Sequence, residues 1–105
     1  MAHPSVITSL EAENDLVEMF DLIANEHGVD RAELVLRRIE ATIASLAEWP
    51  RIGRIREDID GSPRTFSIWP WLLVYEPQQS GIGIILWRVL DGRRDLPTVV
   101  HPPVR

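Results

Sequence analysis

The feature that most constrains the fold is a change of hydrophobic period at Trp49-Pro50. Before it, apolar residues recur at the three- and four-residue spacings of one helix face; after it, they alternate or run together. The first pattern belongs to helices with one buried stripe, the second to strands. Helices followed by strands make an α+β domain: here, an N-terminal antiparallel helical hairpin packed on a small, mainly antiparallel β-sheet.

The segment from Pro4 to Ile7 reads as a brief first strand. Thr8-Ser9-Leu10-Glu11 then has the form of a capping box, with the Thr8 hydroxyl at the N-cap and the Glu11 carboxylate three residues on. Ala12, Leu16, Met19 and Ile23 mark the buried face of the first helix, and Asn14, Glu18, Asp21 and Asn25 its wet face. The helix ends near His27-Gly28, since glycine suits the left-handed turn after a helix. Asp30 with Glu33 can cap a second helix, whose stripe is Ala32, Val35, Ile39, Ile43 and Leu46. Proline pushes Trp49 out of helical geometry and stops it. A link of three to four residues between two amphipathic helices predicts an antiparallel pair.

Arg54 to Ile59 reads as a strand with Ile55 and Ile59 on one side, and Asp60-Gly61-Ser62-Pro63 as a turn. Arg64, Phe66 and Ile68 share one face of the next strand. Trp71-Leu72-Leu73-Val74-Tyr75 is apolar at every position, which suits a central strand covered on both faces. Pro77 to Gly81 makes a hairpin loop, and Ile82 to Leu90 returns as the longest strand, with Trp87 sharing a face with Ile85 and Val89. Such short links favour an antiparallel meander.

At 105 residues the chain has the size of one domain, here expected over 1–98, with an extended or disordered tail over 99–105. The net charge of −5 hides an asymmetry. Residues 1–50 carry ten acids against three arginines, and residues 51–105 carry eight arginines against six acids. An acidic chain is a poor general binder of nucleic acid, whose affinity rests on phosphate neutralisation, so no direct sequence-specific contact with nucleic acid is expected. No membrane span is legible and no secretory leader is expected, so the cytoplasm is the default expectation. There is no cysteine, and the three histidines show no ligand spacing, so neither metal nor cofactor is expected.

A helical hairpin, a meander with an aromatic central strand, and the closing run Trp87-Arg88-Val89-Leu90-Asp91-Gly92-Arg93-Arg94-Asp95 together resemble the RelE/ParE toxin superfamily, and its ParE branch most. Further matching pieces are Ala12-x-x-Asp15-Leu16, Trp49-Pro50-Arg51-Ile52-Gly53, Pro63-Arg64 and Leu73-Val74-Tyr75. The resemblance implies the toxin of a type II toxin–antitoxin pair, neutralised by a cognate antitoxin. It implies DNA gyrase as target in the ParE branch, and ribosome-dependent mRNA cleavage in the RelE branch. A degenerate, non-toxic member that still binds antitoxin is the third alternative.

The residues bear on that choice. Metal-free RNA cleavage needs a base, an acid and cations around the phosphate. Arg56, Arg64 and Arg88 can offer the cations. Where relatives that cut RNA carry histidine before the glycine, however, this chain has Asp91, and no tyrosine follows Tyr75. The residues therefore lean away from an enzyme. Arg64 and Arg88 also fit as strand arginines lying over the edge of the core, and Arg93 and Arg94 as a solvated turn. The candidate surface for target or antitoxin is Arg64, Trp69, Trp71, Arg88, Asp91, Arg93 and Arg94. Trp69-Pro70-Trp71 stands out because two tryptophans flanking a proline are hard to bury together, and aromatic anchors dominate protein interfaces.

Overall fold

The computed structural model describes residues 4–79 and 82–104. The elements run β1 (Val6–Thr8), α1 (Leu10–His27), α2 (Val29–Glu48), β2 (Arg54–Ile55), β3 (Arg64–Ile68), β4 (Trp71–Pro77), β5 (Ile84–Asp91) and α3 (Leu96–Val99). The strands form one sheet in the order β1-β5-β4-β3-β2. β2 to β5 pair antiparallel as a meander, and β1 joins the far side parallel to β5. The α+β architecture expected from the change of period is the one found. Ser80 and Gly81 of the expected hairpin loop, and Arg105 of the expected tail, lie outside the described residues.

The helices keep their stripes but shift their caps. Ser9, not Thr8, is the N-cap of α1: its hydroxyl accepts from the Ala12 N–H at 3.0 Å and donates to the Trp87 carbonyl at 2.7 Å. Thr8 is still in the sheet, opposite Leu86, and cannot serve. Gly28 is at once the C-cap of α1 and the N-cap of α2, with φ of 92°. The expected three- to four-residue link therefore shrinks to one residue. Asp30 lies inside the first turn of α2 and acts on its positive end rather than capping it.

The sheet has apolar residues on both faces. Against the helices pack Leu73, Tyr75, Ile84, Leu86 and Val89, meeting Met19, Ile23, Ile39 and Leu46. On the other face Leu72, Val74, Trp87 and Leu90 meet Ile59, Leu96 and Val100. β4 supplies both layers by strict alternation, as a fully covered central strand must.

Three expectations are corrected here. Only Arg54 and Ile55 pair with β3; residues 56–62 fold into successive turns, and Ile59 drops into the second core instead of sharing a side with exposed Ile55. A β-bulge offsets β4 and β5: Val74 opposes Arg88 but Tyr75 opposes Leu86, so Trp87 is the extra residue. Val89 thereby joins the helix-side core while Trp87 faces the second core with Ile85. The expected tail also starts later. Val99 closes α3 and Val100 is fully buried, so the apolar pair seals the second layer.

Candidate functional site

β1 pairs with β5 only from Ile84 to Leu86, which leaves the rest of that edge open. Asp15 closes it from α1. Its carboxylate accepts from the Val89 N–H at 3.0 Å and takes both Nε (2.7 Å) and Nη2 (2.9 Å) of Arg88. Arg88 Nη1 also donates to the Val99 carbonyl, so this one side chain joins α1 to the end of α3. The carboxylate raises the pKa of the guanidinium above its ordinary value, against the opposing effect of burial.

Arg64 is equally committed. Its Nη1 donates to the carbonyls of Arg51 and Gly53, holding the segment that follows α2. Tyr75, in register with Arg64, works on the same segment: its hydroxyl accepts from the Gly53 N–H at 2.9 Å and donates to the Pro50 carbonyl at 2.8 Å. Burial pushes the Tyr75 hydroxyl above its usual pKa, opposed by the Gly53 hydrogen bond and the charge of Arg64. Arg56 forms a two-bond pair with Asp58. Directly opposed residues share a sheet face. Arg64 opposes Tyr75 of the helix-side core and Arg88 opposes Val74 of the second, so the two arginines start from opposite faces.

The remaining candidates gather elsewhere. Trp71 opposes Asp91 across β4 and β5, and the Gly92 N–H donates to the Pro70 carbonyl at 2.7 Å. That ties the turn between β3 and β4 to the turn after β5. Asp91 accepts from the backbone N–H of Arg93 and pairs with its guanidinium, whose side-chain hydrogen bonds bring the Asp91 pKa down to about 2. The same guanidinium lies 5.9 Å from the centre of the Trp69 ring, within reach of a cation–π contact. Trp69 is 70% exposed, while Trp71 packs partly into the helix-side core. Together they form one wall of a groove of about 300 Å³. The opposite wall is the end of α1 (Leu22, Glu26, His27) and one stripe of α2 (Arg31, Val35, Arg38). Arg94 lines an adjoining cleft with Glu18 that shares Leu22, Trp71 and Asp91 with the groove.

A family model described as the ParE toxin of the type II toxin–antitoxin system, parDE, matches residues 6–96. The chain belongs to the ParE toxin family. It is 36% identical over 91 residues to Toxin ParE3 of Caulobacter vibrioides, covering 87% of this chain and 89% of that one. It is 34% identical over 90 residues to Toxin ParE1 of Mycobacterium tuberculosis, covering 86% and 91%. Its fold is similar to a solved structure of the chromosomal ParDE system from P. aeruginosa, with a TM-score of 0.67 over 84% of this chain and 96% of that one, at 21% identity.

In this ParE-family chain the seven candidate residues divide. Trp69, Trp71, Asp91 and Arg93 come together, Arg94 is adjacent, and Arg64 and Arg88 hold the fold. Arg56, Arg64 and Arg88, the cations a nuclease would need, are each held by a different intrachain partner: Asp58, the Arg51 and Gly53 carbonyls, and Asp15. The hairpin side of the groove is absent from the candidate surface expected from the sequence, because residues 1–50 carry only three arginines against ten acids. The spacing of Arg31, Val35 and Arg38 was the available signal, since positions i, i+4 and i+7 lie on one helix face. Among the described residues no cluster of histidine and acidic side chains is arranged to hold a metal, and no helix is long and apolar enough to cross a membrane.

Proposed function

We propose that this ParE-family toxin arrests growth by binding a protein rather than by cutting RNA, that DNA gyrase is the target in the cytoplasm, and that a cognate antitoxin neutralises it. One observation carries the reading. The three arginines available for phosphate contact are spent on intrachain partners, whereas Trp69 stands exposed beside Trp71 and the Asp91–Arg93 ion pair on an open aromatic groove. Guanidiniums already held by a carboxylate, as Arg56 and Arg88 are, or by backbone carbonyls, as Arg64 is, add little to the stabilisation of a scissile phosphate. An exposed tryptophan beside an ordered arginine is instead the usual composition of an interface anchor.

The reading is tested in cells by inducing the chain and following growth and transcripts together. It expects arrest with full-length mRNA, relieved by co-expressing the antitoxin. Cleaved transcripts that depend on Arg56, Arg64 and Arg88 would establish a ribonuclease instead. Growth without arrest would favour a non-toxic family member that only binds antitoxin.

A further inference from the structure

We infer that the exposed apolar cleft at the end of α2, around Trp49 and Ile52, is a self-association surface that receives the same cleft of a second copy of this chain across a two-fold axis. This contact is independent of the toxin's target.

The cleft encloses about 360 Å³ where α2 ends beside Pro77, the last residue of β4. Trp49, Pro50, Ile52 and Pro77 supply its apolar lining, with Trp49 66% and Ile52 57% exposed. Clustered apolar surface left in water marks an interaction site rather than a folding need. The backbone beneath it is held fast. Tyr75, fully buried, bonds both the Gly53 N–H and the Pro50 carbonyl, and Arg64 donates to the carbonyls of Arg51 and Gly53. The sheet thus fixes a loop whose side chains at positions 49 and 52 stay exposed. A surface made rigid before contact loses little entropy on binding.

The rim identifies the occupant. It carries one acid, Glu48, and one base, Arg51, both exposed, and among the described residues neither forms an ion pair. A ligand of one charge sign would be drawn by one of them and repelled by the other. A copy of the same cleft, turned through a two-fold rotation, satisfies both, since Glu48 of each copy faces Arg51 of the other. Each ion pair is then made twice around an apolar centre. The sheet edge fits the same partner. β2 begins just after Ile52, is the outer strand of the sheet and pairs only with β3, and its Ile55 is half exposed. A second copy seated here shields an edge that otherwise stays open. The cleft also lies away from the Trp69 groove. Arg31 of the groove and Glu48 of the cleft are about 25 Å apart along α2, so a dimer through the cleft leaves both grooves free.

The test is sedimentation velocity on the whole chain from roughly 1 to 500 µM. A monomer–dimer equilibrium is expected with a Kd on the order of 50 µM, in the range of a small, transient contact. Trp49→Ala weakens it roughly tenfold at unchanged Tm, because the side chain removed lies outside the core. Glu48→Arg and Arg51→Glu each weaken it roughly tenfold, because two attractions become two repulsions. Mixing those two charge variants in equal amounts restores association, since each presents the charge that the other lacks. Only a second copy as partner predicts that rescue. A chain still monomeric at about 500 µM, a dimer indifferent to all three variants, or a mixture that associates no better than either variant alone overturns the inference.

Discussion

Asp15 on α1 and Arg88 on β5, far apart in the chain, are joined by two parallel hydrogen bonds of 2.7 and 2.9 Å, and the same carboxylate accepts the Val89 N–H. An acid of the first helix thus does for the outer half of β5 what β1 does for its inner half. Asp15 is 7% exposed, so removing its partner strands a charge in the layer between helix and sheet. Arg88→Ala is expected to lower unfolding stability by about 3–5 kcal/mol, measured by urea denaturation. Arg88→Lys recovers only part, because an ammonium cannot make both bonds in one plane. A loss under about 1 kcal/mol for Arg88→Ala would mean that the pair is no more than a surface contact.

Tyr75 and Gly53 form a second internal clasp that is more sensitive to size than to chemistry. Tyr75→Phe leaves the Gly53 N–H and the Pro50 carbonyl without their buried partner and is expected to cost about 1–3 kcal/mol. A Cβ on Gly53 would lie 2.3 Å from the Tyr75 hydroxyl and 2.9 Å from the Thr65 carbonyl. It therefore pushes the ring out while also meeting backbone that cannot yield. Gly53→Ala is expected to destabilise more than Tyr75→Phe by thermal melting, and the reverse order would contradict the clasp.

The Asp91–Arg93 pair gives an acid-side signature. Arg93 holds the folded-state pKa of Asp91 down at about 2, below the ordinary carboxylate value. A depressed pKa contributes stability that is present above the unfolded value, about 3.9, and is lost as pH falls from there through about 2. The pair lies at the surface, so the contribution is small and shrinks with salt. Carboxyl-detected NMR should find Asp91 titrating near that low value, and Arg93→Ala should return it toward the ordinary range. An Asp91 that titrates normally in the wild-type chain would show that the pair does not persist in solution.

The sequence carried the layers further than the contacts. Hydrophobic period located α1, α2 and the two-faced β4, because each buried stripe is written in side-chain spacing. It could not locate the bulge at Trp87, since one inserted residue flips every later side chain without changing composition. Strict alternation would put Arg88 on the face of Ile84 and Leu86; because of that single residue Val89 takes that place and Arg88 runs along the edge to Asp15. Trp69, Trp71, Asp91 and Arg93 were legible as a surface because they flank turns close in sequence. Arg31 and Arg38 were not, because only tertiary packing brings α2 against those turns.

The central claim is that this ParE-family chain acts on gyrase by binding, and the supercoiling reaction tests it most directly. Purified chain is titrated into gyrase, ATP and relaxed plasmid, and the products are resolved with and without detergent and protease. The account predicts a dose-dependent loss of supercoiling, or linear DNA trapped with gyrase, on the order of micromolar chain, in the range typical of specific protein complexes. Full supercoiling at that concentration, with no cleaved DNA, would contradict it.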